Sequence, residues 1–375
     1  MGYDVDAIVV GGGPGGASSA YFLQQAGCRT LLLEKEGLPR YKTCAGGVPG
    51  STLEFFPFSF SGIIEQRMDR ATFVHGSKRV TQPVEEDSLY MVMRDKFDSY
   101  LVQNCGAQVL AGDKAESVHS EREGVTVFTR KGKRLRARYL VGADGAASIV
   151  ARSMGMTTSD KGFGLGLEAE VIPQSKVGQS FEGRFLVGLG EMEKGYYWVF
   201  PKAEHLSVGI GNMCRGRKQL LAHLKKVMSQ LDIDLQGCSV RVHPIPAFNP
   251  GIRLQQGRVL LVGDAARLVD PLTGEGIRHA VLSGKLAAEA VASDSLEQYP
   301  RWVHHQIGRD LQGARVLSAI FFASQRGCFE LMVRNRLIFQ DLLRIISCRT
   351  SYFRSLLRLP LYLMALYNRA PLDSE

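Results

Sequence analysis

Asp4-Val5-Asp6-Ala7-Ile8-Val9-Val10-Gly11-Gly12-Gly13-Pro14-Gly15-Gly16 is the stretch that decides the fold. The apolar run ending at Val10 reads as a buried strand, Pro14 to Ala26 as a helix and Thr30 to Glu34 as a second strand, a βαβ unit with parallel strands. Glycines at 11, 13 and 16 give the G-x-G-x-x-G spacing: a sharp turn at Gly11, backbone open to a pyrophosphate at Gly13, and close helix–strand packing at Gly16. Phosphates then sit at the positive end of the helix, which makes Gly11, Gly13, Pro14, Gly15 and Gly16 candidate binding residues. Glu34, eighteen residues after the last glycine, is placed to accept hydrogen bonds from both ribose hydroxyls of an adenosine. An acid there disfavours a 2′-phosphate, so FAD or NAD fits and NADP does not.

Working outward, Leu140-Val141-Gly142-Ala143-Asp144-Gly145 and Val259-Leu260-Leu261-Val262-Gly263-Asp264-Ala265 are two further apolar strands, ending in Asp-Gly and Gly-Asp. The expected fold is α/β, a Rossmann-like doubly wound parallel sheet. Arg94 to Cys105 reads as an amphipathic helix, and Val125 to Thr129 with Lys133 to Val141 as a hairpin feeding back into that sheet. Strand-like runs at Leu165 to Ile172, Ser180 to Val187, Tyr196 to Phe200 and Leu206 to Gly211, with one helix at Lys218 to Leu231, suggest a second, mostly antiparallel sheet domain. A helix from Gly276 to Ala292 follows the third strand, and from Leu296 the chain is helical and rich in arginine. The expected division is a discontinuous nucleotide-binding domain (1–75, 93–160 and 250–295), a substrate-binding β-sheet domain (76–92 and 161–249) and a C-terminal helical region (296–375).

Composition removes several function classes. The 375 residues are 45% hydrophobic and 22% charged, ordinary for a globular chain, and glycine is in excess at 41 residues. No run of about 18 uncharged apolar residues exists, so a spanning helix is not expected. A strand begins almost at Met1, which leaves no room for a signal or transit peptide and implies a cytoplasmic protein. Seven cysteines (28, 44, 105, 214, 238, 328 and 348), widely spaced and without Cys-x-x-Cys, read as free thiols. Adjacent His304 and His305 would not converge on one metal from a helix, and no metal site is expected.

With these three strands in place, the chain resembles the FAD-dependent oxidoreductases of the hydroxylase and geranylgeranyl reductase superfamily. The resemblance implies FAD, with Gly263 and Asp264 on its ribityl chain and pyrophosphate, Asp144 nearby, and Arg94, which opens a helix, approaching the cofactor. An ordinary i, i+4 pair between Arg94 and Asp98 is the alternative. Pro271 to Ile277 resembles the superfamily loop beside the flavin pyrimidine, so Gly274, Gly276 and Ile277 lead into a helix whose positive end favours the anionic reduced flavin. Pro39-Arg40-Tyr41-Lys42-Thr43-Cys44-Ala45-Gly46-Gly47 resembles the Lys-x-Cys-Gly-Gly loop of geranylgeranyl reductases, with Ala45 where the family often has glycine. Arg40, Cys44 and Ala45 of this loop, with Lys35 at the end of the second strand, are cofactor-binding candidates. Tyr196-Tyr197-Trp198-Val199-Phe200-Pro201 matches that family's Tyr-x-Trp-x-Phe-Pro motif.

The implied activity is saturation of C=C bonds in a prenyl chain by flavin hydride. An isolated trisubstituted alkene accepts hydride poorly, so a positioned acid and aromatic walls are needed. Cys44 is the candidate acid, and Tyr196 and Trp198 are candidate walls, with Tyr196, Trp198 and Phe200 on one strand face and Tyr197 on the other. Cys44 also reads as a small buried hydrophobe, and cations at Arg40 and Lys42 favour thiolate over thiol. The aromatic strand, and Phe55, Phe56, Phe58 and Phe60, read equally as core. A flavin monooxygenase or halogenase of the same fold and a non-enzymatic prenyl-binding escort are the rivals; a halogenase would prefer Trp-x-Trp-x-Ile-Pro. The electron donor is NAD(P)H or reduced ferredoxin, the latter a redox partner.

Residues 301 to 375 hold eleven arginines, no lysine and five acids, so they carry +6 of the net +9. Apolar runs between these arginines suit an interfacial helix on an anionic membrane surface, peripheral at the inner face. A solvated cap is the alternative. No RNA or DNA module accompanies the basic tail, so nucleic-acid binding is not expected.

Overall fold

Strand Val5–Val10 runs parallel to Thr30–Glu34 on one side and to Arg134–Gly142 on the other, as expected of an apolar strand buried on both faces. The computed structural model describes residues 3–156, 163–213 and 216–366; Cys214, Tyr367, Arg369, Asp373 and Glu375 lie outside the described residues. By contact the chain forms two compact units, residues 1–42, 94–162 and 246–312 in the first and 43–93, 163–245 and 313–375 in the second.

The first unit is built on an eight-stranded sheet whose main path runs Gln255–Gln256, Val259–Leu261, Arg134–Gly142, Val5–Val10, Thr30–Glu34, Gln108–Ala111. Val125–Thr129 and Arg134–Gly142 form the expected antiparallel hairpin, and Ala115–Ser120 extends it. Helices Pro14–Gln25 and Ile277–Ala292 pack closely through small residues. A β-carbon at Gly284 would stand 2.4 Å from Ser18 Oγ and 2.6 Å from the Gly15 carbonyl. The two helices are thus held in close contact just behind the phosphate turn.

In the second unit a seven-stranded sheet runs Arg241–Pro246, Phe163–Val171, Leu206–Asn212, Gly195–Pro201, Arg184–Leu189, Arg70–His75, Lys78–Pro83. The pairs from Phe163–Val171 to Arg184–Leu189 are antiparallel, whereas Arg184–Leu189 and Arg70–His75 are parallel. Alternation sends Tyr197, Val199, Val208 and Ile210 to one face, where Leu220, Leu224 and Met228 of helix Arg217–Gln230 cover them. On the other face Phe73, Phe185 and Val187 meet Phe329, Met332 and Phe339 of the C-terminal helices.

Two expectations differ from what is observed. Ser180 to Val187 is not one strand: helix Ser175–Ser180 ends there, Gly183 takes a left-handed φ of +64°, and the strand begins at Arg184. Extended backbone cannot pass through that glycine. Residues 43–75, expected with the nucleotide-binding segments, contain strands Gly47–Pro49, Ile64–Arg67 and Arg70–His75, which pair with strands of the second unit. Among the described residues no single helix is long and apolar enough to cross a membrane, and no cluster of His, Cys, Asp or Glu is arranged to hold a metal ion. Cys28, Cys44, Cys105, Cys238 and Cys328 are free.

Candidate functional site

The phosphate turn of the first unit has no room for side chains where the backbone closes on itself. A β-carbon at Gly11, whose φ is +107°, would lie 2.3 Å from the Ala143 carbonyl oxygen, and one at Gly16 would lie 1.8 Å from the Gly11 carbonyl oxygen. Gly13 differs: within 4 Å of its β-carbon position stands only Arg40 Nη2, at 3.7 Å. A tight turn therefore leaves one face open, with a guanidinium beside it, as a pyrophosphate requires. Glu34 is fixed at the end of its strand, where Oε2 accepts the Gly12 amide at 2.7 Å and Oε1 the Glu36 amide at 3.1 Å.

Arg40 is nearly buried and bridges two carboxylates, with Nε 3.4 Å from Glu34 Oε2 and Nη1 3.2 Å from Asp98 Oδ2. Arg94 pairs with the same Asp98 in a bidentate arrangement at 2.8 and 2.9 Å, the i, i+4 pair that its spacing allowed. The pair of cations around one fully buried acid was not anticipated, although Asp98 stands one turn beyond Arg94. Lys35 projects into solvent and pairs with Glu36.

Asp144 faces inward and caps the helix that follows: its carboxylate accepts the Ser148 hydroxyl at 2.5 Å and the Ile149 amide at 2.6 Å. Burial pushes this carboxyl up, against the pull of those donors. Gly263 has a left-handed φ of +55° and donates its amide to Ser283 Oγ at 3.0 Å, which ties the Gly263-Asp264 turn to helix Ile277–Ala292. Gly274 is left-handed as well, at +73°, and a β-carbon at Gly276 would stand 3.1 Å from Val269 Cγ2 and 3.7 Å from Asp264 Oδ1. Ile277 opens the helix, whose first turn is capped by Glu275 accepting the Arg278 amide at 2.6 Å. These residues fit FAD: an open glycine face with a cation, a fixed acid at the ribose position, and a second glycine turn set against a helix start.

In the second unit the cysteine loop and the aromatic strand meet. Tyr196 and Phe200 pack on the C-terminal helical side and Tyr197 on the opposite side, as strand alternation requires. The rings of Tyr196 and Trp198 are 6.2 Å apart, edge to face. A β-carbon at Gly47 would touch the Phe200 ring at 3.3 Å. Lys202, directly after the motif, donates from Nζ to the Ala45 carbonyl at 2.7 Å and to that of Val92 at 2.9 Å. Cys44 Sγ accepts the Gly46 amide at 3.4 Å. Phe56, Phe58 and Phe60 form one aromatic cluster, with ring centroids 5.2 to 5.8 Å apart.

Sequence reasoning missed Lys202 and Glu168. Both carried a signal: a lysine abutting the motif, and a carboxylate in an apolar strand run. Glu168 is 2% exposed and accepts the Ser207 hydroxyl at 2.6 Å.

Residues 4–293 match the family model described as an FAD binding domain. The chain is 31% identical to the chloroplastic geranylgeranyl diphosphate reductase of Arabidopsis thaliana over 76% of its own length and 65% of that protein's. It is also 31% identical to digeranylgeranylglycerophospholipid reductase 2 of Methanopyrus kandleri, over 79% of this chain and 78% of the relative. Among solved structures it superimposes on a geranylgeranyl bacteriochlorophyll reductase-like protein from Thermoplasma acidophilum, with a TM-score of 0.76, 25% identity, and coverage of 85% of this chain and 87% of that one. The glycine cradle, the fixed acid and these likenesses lead to one conclusion: the chain is an FAD-dependent oxidoreductase and belongs to the geranylgeranyl reductase family.

Proposed function

We propose that the protein saturates carbon–carbon double bonds of a prenyl chain carried on a diphosphate or a lipid, with Cys44 as the proton donor. One observation carries this reading. Two motifs some 150 residues apart in sequence, the cysteine loop and the aromatic strand, are fastened together by Lys202 and by Phe200 against Gly47. On this reading the thiol works beside aromatic side chains, the surroundings in which a protonated alkene is stabilised.

Bound and reduced FAD supplies a hydride. The chain's own residues do the rest. Gly11, Gly13, Pro14, Gly15 and Gly16 take the pyrophosphate with Arg40 beside them, Glu34 holds the ribose, and Asp144, Gly263 and Asp264 shape the turns against which the cofactor lies. Arg94 holds Asp98, and through it Arg40. Gly274, Gly276 and Ile277 present the positive end of a helix. Cys44 gives its proton to one alkene carbon, while Tyr196 and Trp198 exclude water and face the developing charge. NAD(P)H or a reduced ferredoxin would be the source of the electrons.

The C-terminal helices supply a surface suited to a lipid substrate. Val316 and Ile320 on helix Arg309–Ala323, and Phe353 and Leu357 on helix Tyr352–Leu366, are 54 to 65% exposed and alternate with exposed Arg315, Arg354 and Arg358. Gly313 lies against Tyr352, so the two stripes are neighbours. We take this patch to rest on an anionic bilayer. Flotation with phosphatidylglycerol vesicles, absent with phosphatidylcholine alone and lost in Phe353→Asp/Leu357→Asp, is the expected result.

The decisive experiment gives dithionite-reduced enzyme a panel of prenyl diphosphates and prenyl lipids, read by mass spectrometry. Products heavier by two hydrogens per bond are expected. Unchanged masses across both panels would sink the proposal, and a gain of one oxygen would assign the protein to the monooxygenases instead.

A further inference from the structure

Lys202 is 3% exposed, and its whole length is fixed. Its amide donates to the His205 carbonyl at 2.7 Å, its carbonyl accepts Gln66 Nε2 at 2.8 Å, and its ammonium holds the carbonyls of Ala45 and Val92. Gly46, at φ +70°, makes the approach possible, because a β-carbon there would stand 2.6 Å from Lys202 Nζ. A neutral donor would serve to tie two carbonyls. A buried ammonium costs far more, so it calls for an anion in its surroundings.

The acidic groups whose charge acts on Lys202 are Cys44, Glu168, Glu65 and Glu170. Burial pushes the lysine down to about 8, while attraction to these groups, Cys44 first, opposes that fall. Burial raises the carboxyl of Glu168, held against it by the Ser207 hydroxyl, Lys202 and the Cys44 backbone amide. One oxygen of Glu168 has no hydrogen-bond partner among the described residues. Lys202 and Glu168 are buried, Cys44 is half-buried, and the three interact electrostatically within the second unit.

We propose that Lys202 is a positioning residue for Cys44: it anchors the 44–46 loop through the Ala45 carbonyl and provides the positive charge that the Cys44 sulfur meets once its proton has left. The inference rests on the reading of Cys44 as the acid. In that step the hydride brings an electron pair to one alkene carbon, and the π pair forms the second C–H bond with the Cys44 proton. The S–H pair stays on sulfur as thiolate. The alkene is reduced and the cofactor oxidised, and water returns the proton before the next cycle. Lys202 and the Gly46 amide, 3.4 Å from Sγ, hold that thiolate.

The test needs no prenyl substrate. FAD-loaded full-length protein is alkylated with iodoacetamide at pH 7.5, and the rate at Cys44 is read by peptide mass. Lys202→Gln, which keeps a hydrogen-bond donor and loses the charge, is expected to slow Cys44 by roughly tenfold, because a thiolate that has lost its nearby cation forms less readily. Lys202→Arg should stay within about threefold of the wild type, since it keeps the charge. An unchanged rate in Lys202→Gln with its flavin spectrum intact overturns the proposal. Should Lys202→Gln fail to hold FAD, Cys44→Asp and Cys44→Asn decide. An anion facing a buried cation should make the Asp variant melt above the isosteric Asn variant at pH 7, and an Asp variant that melts lower overturns the proposal. Failure of the reductase reading itself would show elsewhere, as wild-type enzyme that leaves every prenyl mass unchanged.

Discussion

The indole of Trp198 fills the space that a side chain at Gly209 would need: a β-carbon there would lie 2.1 Å from Trp198 Cζ2. The two residues are opposite partners on neighbouring antiparallel strands, so the contact is fixed by register. Trp198 is nearly buried, and its indole N–H has no hydrogen-bond partner among the described residues. Gly209→Ala must therefore move the indole. We expect turnover to fall by at least about tenfold, the effect of a small misplacement at a reacting centre, while bound flavin is unchanged; full turnover in this variant would remove Trp198 from the substrate wall.

Cys44→Ala should keep its flavin absorbance and lose turnover on prenyl substrates by roughly 10² to 10⁴, the usual contribution of a general acid. Single-turnover reoxidation of the reduced flavin by substrate measures this directly. Wild-type rates would exclude Cys44 as the proton donor.

Glu34→Ala removes the acceptor of the Gly12 and Glu36 amides as well as the proposed ribose ligand. A weakening of FAD affinity by about ten- to a hundredfold is expected, from hydrogen bonds to a charged acceptor worth roughly 1.5 to 3 kcal/mol. Fluorescence titration of the apoprotein with FAD checks it. Affinity unchanged within error would show that the ribose is held elsewhere.

Tyr139 ties strand Arg134–Gly142 to Asp294, just beyond helix Ile277–Ala292, by a short hydrogen bond. Burial and that bond push the phenol up to about 12 from an ordinary value of 10.0. A raised acid makes its contribution in full below the unfolded value and loses it as the pH climbs through the folded one. Tyr139→Phe should thus cost about 1 kcal/mol near neutral pH, and the gap should close between about pH 10 and pH 12. Chemical denaturation of both proteins across that range would show a constant gap if the bond contributes nothing.

The nucleotide-binding turn was legible because its demands are local. Three glycines, a following helix and an acid at the end of the next strand lie within some thirty residues. Asp144 shows where such reading thins: the Asp-Gly signature marked a turn at the end of its strand, and there the carboxylate is occupied with accepting from Ser148 and Ile149. Lys202 and Ala45 are 157 positions apart, and no periodicity announces that a lysine will be buried against a carbonyl. The broken strand at Ser180 to Val187 failed for a different reason, since one glycine with positive φ outweighed the β-propensity of its neighbours.

Strand Val5–Val10 takes Arg134–Gly142 as one neighbour, and that strand in turn takes Val259–Leu261. The cofactor sheet consequently remains incomplete on the ribosome until strand Val259–Leu261 has emerged, well over a hundred residues after Arg134–Gly142. Until then its apolar edge has no partner. Slow maturation of the nascent chain, dependence on chaperones at high expression, and failure of any C-terminal truncation short of helix Ile277–Ala292 to retain colour all follow from this order of assembly.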